Sequence, residues 1–243
     1  MELTDLKNKL IDAFEGSAEE LSEILASVKD EASIFPFNEY EHLICCFLSK
    51  KGLSFEKYMD IRAEYIRENP NLKVFEISAP RGFGEKFAQT HVNELCEELV
   101  KPSKKTDLSY SGEYDFWLDD IKIEVKASRA VDKESHEPLY MKALSSDTQR
   151  PFVMNFQQLK PTCCDVFIWV AVFRDIIKIW VLGSKEVSEH PLYSRGQHRG
   201  NKGNEGQLHV KHDNVNQLAE FELGHRDLKA TIIEAAKHSL QAR

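Results

Sequence analysis

The sequence has no long apolar run, no excess of positive charge and no paired-cysteine motif, and each absence narrows what the chain can be. Its longest apolar stretch, Val166 to Phe173, is far shorter than the roughly 20 residues a helix needs to span a bilayer. The opening residues, MELTDLKNKL, are amphipathic, with two acids against two lysines, unlike a signal peptide, so the expectation is a cytoplasmic protein with no membrane partner. The five cysteines are Cys45, Cys46, Cys96, Cys163 and Cys164; they show no C-x-x-C spacing, which leaves a structural zinc site without support. Their odd number also argues against a disulfide framework. Lysine and arginine total 32 against 40 acidic residues, for a net charge of −8. Proteins that coat nucleic acid non-specifically are usually basic, so a nucleic-acid partner here requires the positive charge to be gathered in one place. The phosphate-binding patterns G-x-G-x-x-G and the P-loop are absent, and so is the G-x-S-x-G elbow of a serine hydrolase.

What is present suits one globular domain: 243 residues, 42% hydrophobic and 30% charged. Residues 1–70 read as a helical part. Leu3, Leu6, Leu10 and Phe14 recur at helical spacing, and Leu21, Ile24, Leu25 and Val28 repeat the pattern behind a capping box of Ser17 and Glu20. Further helices are expected over 38–48 and 55–67, the latter stopped by Pro70. Residues 71–182 form the expected catalytic core. In it Leu72 to Ser78 alternates as a strand, a helix runs from Glu85 to Val100, and strands lie near 108–118 and 121–127. Asp165 to Phe173 is apolar on both faces, as a strand in the middle of a sheet should be, and Ile176 to Leu182 pairs with it through a turn at Arg174 and Asp175. Residues 183–243 supply a polar loop and a last helix over 227–240. The fold class is therefore α/β (α+β), a mixed central β-sheet flanked by helices with a helical N-terminal part.

The stretch DFWLDDIKIEVK, residues 115 to 126, can be given a register. If Asp119 and Asp120 form a two-residue turn, 118 pairs with 121, 117 with 122, 116 with 123 and 115 with 124. Alternation puts Tyr114, Phe116 and Leu118 on one face with Ile121, Ile123 and Val125. The other face carries Asp115 opposite Glu124, with Lys126 one step along. Carboxylates about 5 Å apart repel by about 0.8 kcal/mol in water and by roughly 3 kcal/mol at an effective dielectric of 20. On a wet hairpin that is trivial; in an enclosed sheet a cation must relieve it. A few hard oxygen ligands with open positions suit Mg²⁺, and a lysine beside them can hold an attacking water.

An acidic residue followed, on the next strand, by Glu-x-Lys resembles the signature of the PD-(D/E)XK nuclease superfamily, with Tyr114 standing where the family's name has proline. The two-residue hairpin with Glu-x-Lys is similar to that of the blunt-cutting EcoRV- and PvuII-like type II restriction endonucleases. The resemblance implies a restriction-endonuclease-like fold and Mg²⁺-dependent hydrolysis of double-stranded DNA to 5′-phosphates, with Asp115, Glu124 and Lys126 as catalytic residues. It implies that Asp115, Glu124 and the Val125 carbonyl ligand the metal. In this superfamily the preceding helix often adds an acid; projection at 100° per residue makes Glu85 the candidate, its alternative being a first-turn glutamate favoured by the helix dipole. Homodimers acting on palindromic sites, and a companion methyltransferase acting on the same site without stable binding, are further implications.

Residues 193–212, YSRGQHRGNKGNEGQLHVKH, are the local basic patch that the net charge demands. Arg195, Gln197, His198, Arg199, Asn201, Lys202, Asn204 and Gln207 are the candidate DNA-binding residues, with Arg129 beyond the hairpin. Gly196, Gly200, Gly203 and Gly206 make the stretch read as a flexible or tightly turning loop, either a sequence-reading element or a polar linker. His198, His209 and His212 lack the hairpin-then-helix setting of a ββα-metal nuclease. Two alternatives remain: a repair or recombination nuclease of the same superfamily that recognises DNA structure, and a non-catalytic DNA-binding protein whose hairpin charges are only a solvated face.

Overall fold

The computed structural model describes residues 3–27, 36–37, 40–197 and 201–240. It is α+β: helices, a mixed four-stranded sheet and a second, antiparallel four-stranded sheet. Four helices come first, α1 (Leu3–Asp12), α2 (Ala18–Ser27), α3 (Glu41–Ser49) and α4 (Phe55–Glu68). The expected capping box opens α2: Ser17 Oγ accepts from the Glu20 amide and Glu20 returns a carboxylate to the Ser17 amide. Ser54 caps α4 in the same way through the Lys57 amide. Of the residues read from the periodicity, Leu6, Leu10 and Ile24 are buried and Phe14, Leu21 and Leu25 are half-buried against the same core, which Phe47 of α3 and Ile61 and Tyr65 of α4 complete.

Leu72 to Ser78 is not a strand. It opens with a helical turn, α5 (Leu72–Phe75), because Asn71 anchors it to the turn at residues 173–175: its amide donates to the Arg174 carbonyl and its side chain to that of Phe173. Leu72 and Phe75, three residues apart, are then the buried pair, and the apparent alternation has no sheet to face. The expected helix over 85–100 begins earlier and stops sooner. A π-helical segment (Gly82–Ala88) leads into α6 (Gln89–Leu95), and the Asn93 side chain closes the end by donating to the carbonyls of Cys96 and Leu99.

The mixed sheet has the order β1-β2-β5-β6, from β1 (Phe116–Leu118), β2 (Ile121–Arg129), β5 (Val166–Val172) and β6 (Ile177–Gly183). β2 and β5 run parallel, while the outer pairs are antiparallel. As the sequence required, β5 is interior and buried throughout. Val166, Ile168, Val170 and Val172 face the core shared with the helices; Phe167, Trp169 and Ala171 face a second core. The far wall of that second core is the antiparallel sheet, order β3-β4-β8-β7: β3 (Val131–Asp132), β4 (Phe152–Leu159), β7 (Tyr193–Gln197) and β8 (Asn201–Lys211). The chain passes from one sheet to the other at the buried Ala130. Helices α7 (Ser184–Glu189) and α8 (Leu228–Ala235) close the fold, with Asp227 capping α8.

Two parts of the second sheet depart from expectation. β4 lies in a stretch with no assigned strand, although Phe152, Met154 and Phe156 alternate into the second core. In the stretch expected to be a loop, Tyr193–Gln197 and Asn201–Lys211 are instead paired strands, the β7–β8 hairpin. Gly206 serves close approach rather than flexibility, since a Cβ there would lie 2.3 Å from the Tyr193 ring.

Candidate active site

The register of the β1–β2 hairpin is the expected one: Leu118 pairs with Ile121, Trp117 with Lys122 and Phe116 with Ile123. Asp119 and Asp120 form the turn with φ of 47° and 66°, both in the left-handed region that a two-residue type I′ turn demands. The pairing then slips. The Asp115 amide donates to the Ile123 carbonyl at 2.9 Å, and Tyr114 turns into the second core instead of joining Phe116 and Leu118 in the first. The expected placement of Tyr114 with those two is corrected by this slip.

The slip puts Asp115 at the strand edge, where its side chain continues the ladder that its backbone has left. Asp115 Oδ2 accepts from the Val125 amide at 2.9 Å, and Oδ1 accepts from Gln89 Nε2 of α6 at 2.7 Å. Because N–H and C=O of one strand residue project to the same flank, the Val125 carbonyl also faces the Asp115 side.

Glu124 and Lys126 pair with Phe167 and Trp169 of β5, whose side chains fill the second core. They therefore lie on the face between the two sheets and not on an outer, wet one. Their side chains are only 15% and 19% exposed, and Lys126 Nζ lies 2.6 Å from Glu124 Oε1. Burial raises the Glu124 carboxyl to about 7; Lys126 pulls it down again, while the negative Asp115 beside it, sharing a hydrogen bond, pushes it further up. The three residues singled out in the sequence thus meet, with Asp115 reaching Glu124 from the strand edge. The charge of Glu124 also reaches Tyr110, Lys160 and the buried Cys164. Lys122, on the same strand face, is committed elsewhere, to Asp107 at 2.9 Å.

The donor set fits a hard divalent cation. Two carboxylates and a backbone carbonyl offer oxygen only, and each carboxylate oxygen retains a second lone pair beyond the bonds described. The raised Glu124 carboxyl is what taking a carboxylate out of water produces; a proton or a cation relieves it. No cluster of three or more His, Cys, Asp or Glu side chains able to hold a metal occurs among the described residues. A cation here would be completed by the Val125 carbonyl, water or substrate oxygens.

The remaining expected residues fall in several places. Glu85 sits on the π-helical segment, 55% exposed and paired with Arg81 at 3.1 Å; its charge, like that of Asp115, acts on Lys101. The Arg129 guanidinium lies 3.8 Å from the centre of the Phe83 ring and donates to the Ile77 carbonyl at 2.6 Å, and burial lowers its pKa to about 10. Arg195 is exposed on β7, and Gln207 is half-buried on β8 with its amide oxygen buried and unbonded. Gln197, Asn201, Lys202 and Asn204 are described by their backbone alone, and His198 and Arg199 lie outside the described residues. Lys160, just beyond β4, pairs with Glu205 of β8 at 3.1 Å and also lies within charge range of Glu124.

Sequence reasoning missed Gln89 and Lys101. Gln89 stands one helical turn beyond Glu85 and three residues before the buried Val92, so the same projection passes through it; a search for acids alone overlooked an amide. Lys101 carried no signal, because its position depends on the bridge between Val100 and Trp117. Compared with models of known protein families and with curated proteins, the chain finds no match.

Proposed function

We propose that the chain is a Mg²⁺-dependent nuclease of the PD-(D/E)XK kind, and within that class a type II restriction endonuclease that cuts double-stranded DNA at a specific sequence. The reading rests on one observation above all: Asp115, Glu124 and Lys126 converge on an enclosed face where Glu124 is held at about 7. A solvated hairpin face would leave that carboxyl near its ordinary value.

Asp115, Glu124 and the Val125 carbonyl would hold the cation, which when bound supplies stabilisation of charge developing on the phosphate oxygens and acidifies a nearby water. Asp115 is pinned by two donors, so its carboxylate is oriented before substrate arrives. Lys126 donates hydrogen bonds only; with Glu124 engaged by the cation, its ammonium is free to orient the hydrolytic water for in-line attack on the scissile phosphorus. The attack leaves a 5′-phosphate and a 3′-hydroxyl. The β7–β8 hairpin, with Arg195 exposed and several amide residues in its sequence, is the element proposed to read base edges. A homodimer joined through the N-terminal helices, acting in the cytoplasm on a palindromic site that a companion methyltransferase modifies, completes the reading.

Plasmid DNA incubated with the protein and Mg²⁺ should yield discrete fragments that disappear with EDTA or with Lys126→Ala. Cutting confined to branched or mismatched substrates would favour a repair nuclease of the same superfamily. No cutting with Mg²⁺ or Mn²⁺ would overturn both.

A further inference from the structure

Lys101 belongs to no part of the signature, yet its surroundings are built around it. Val100 exchanges both backbone hydrogen bonds with Trp117, at 3.1 and 2.9 Å, which sets Lys101 beside the start of β1. The turn leading there is held by Asn93. The ammonium lies 4.0 Å from the centre of the Phe116 ring, donates to Gln89 Oε1 and reaches the Asp115 carbonyl at 3.5 Å. Gln89, 8% exposed, passes the contact on through Nε2 to Asp115 Oδ1 at 2.7 Å.

The chemistry of the three groups fixes the direction of this chain. An amide carries a donor at one end and an acceptor at the other, and nothing in its shape decides which end points where. An ammonium only donates, so the Gln89 atom facing Lys101 must be oxygen, and the NH₂ is thereby turned toward Asp115. Without Lys101 only the carboxylate itself holds the amide, which loses its second anchor and with it the fixed direction from which it approaches Asp115. We propose that Lys101 and Gln89 form a positioning relay that fixes the plane of the Asp115 carboxylate from behind and so sets the cation affinity of the site. The proposal rests on the nuclease reading and deepens it by assigning residues outside the Asp-Glu-x-Lys set. Partners of ligands in this outer position typically change metal affinity or activity by about 10–100-fold when removed.

The test is a double-mutant cycle of Lys101→Met and Gln89→Met, with Lys101→Arg as the conservative variant. Mn²⁺ affinity is measured by calorimetry on the DNA-free protein, and kcat and KM are measured on plasmid DNA. Each Met variant should weaken Mn²⁺ binding and lower kcat by about tenfold or more with KM for DNA nearly unchanged. The double variant should be no worse than the singles, and Lys101→Arg should recover most of the loss. Wild-type Mn²⁺ affinity in Lys101→Met, additive losses in the double variant, or a rise in KM alone would overturn the relay. Wild-type protein that neither binds Mn²⁺ nor cuts DNA would instead overturn the nuclease reading beneath it. Because Lys101 is a surface-edge residue, its Met variant can be checked for an unchanged thermal transition before either conclusion is drawn.

Discussion

At the scale of single residues, the account turns on Glu124. Its carboxyl is raised from an ordinary 4.5 to about 7, chiefly by burial. The folded state therefore binds a proton more tightly than the unfolded chain. That contribution is fully present below about pH 4.5 and is lost as pH rises through about 7. A shift of this size corresponds to roughly 3–4 kcal/mol. In EDTA the protein should accordingly melt several degrees lower at pH 8 than at pH 5, and Glu124→Gln should remove most of that difference. Mg²⁺ should raise the transition more at pH 8 than at pH 5, since at the lower pH a proton already occupies the place. Equal melting curves for wild type and Glu124→Gln at both pH values would mean that the carboxyl is not enclosed.

At the scale of elements, the β1–β2 hairpin was the most legible part of the chain. Alternation fixed the face of each residue from Phe116 to Lys126, and a two-residue turn fixed the register, so the pairing followed. What alternation could not reveal is the slip at Asp115, which arises because a side chain, Asp115 itself, takes over the bond to the Val125 amide. The turn residues are serviceable rather than ideal for left-handed backbone. Replacing Asp119-Asp120 by Asn-Gly should stabilise the fold by about 0.5–1 kcal/mol in chemical denaturation, without changing activity. A loss of stability would mean that the two aspartates make contacts beyond the turn.

A second element-scale prediction concerns Gly183, at the end of β6. A Cβ there would lie 2.5 Å from the backbone carbonyl oxygens of Ala235 and His238, which follow from α8. Backbone cannot swing aside as a side chain end can. Gly183→Ala should therefore cost about 1–3 kcal/mol by prising α8 from the sheet. An unchanged denaturation midpoint would show that α8 is not packed closely there.

At the scale of the whole molecule, the sequence conveyed the class of fold and the interior place of β5, whose two apolar faces imply a layer on each side. It did not convey that the second layer is another sheet. That sheet is made of the short β3, of β4, set among polar and turn-forming residues, and of the glycine-rich β7–β8 hairpin, whose pairing with β4 is non-local and whose glycines imitate a loop. The alternation of Phe152, Met154 and Phe156 in β4 and of Leu208 and Val210 in β8 is its signature in the sequence. Hence the enclosure of Glu124 and Lys126, on which the proposed function rests, could not be read from the hairpin alone; the covering sheet comes from residues well downstream. No helix among the described residues is long and apolar enough to cross a membrane. If the protein cuts both strands of a palindrome, sedimentation should give about twice the 28.0 kDa chain mass, whereas a monomer at all concentrations would argue against the two-fold reading.

The central claim, that Asp115, Glu124 and Lys126 form one cation-dependent site for hydrolysing DNA, is tested most directly by sequencing the ends of DNA digested in Mg²⁺ by the wild type, with Asp115→Asn, Glu124→Gln and Lys126→Ala run beside it. The account predicts that wild-type ends share one recognition sequence and carry 5′-phosphates, and that each variant leaves the DNA essentially uncut. Uncut DNA with wild type, or the same ends appearing at a similar rate with all three variants, would contradict it.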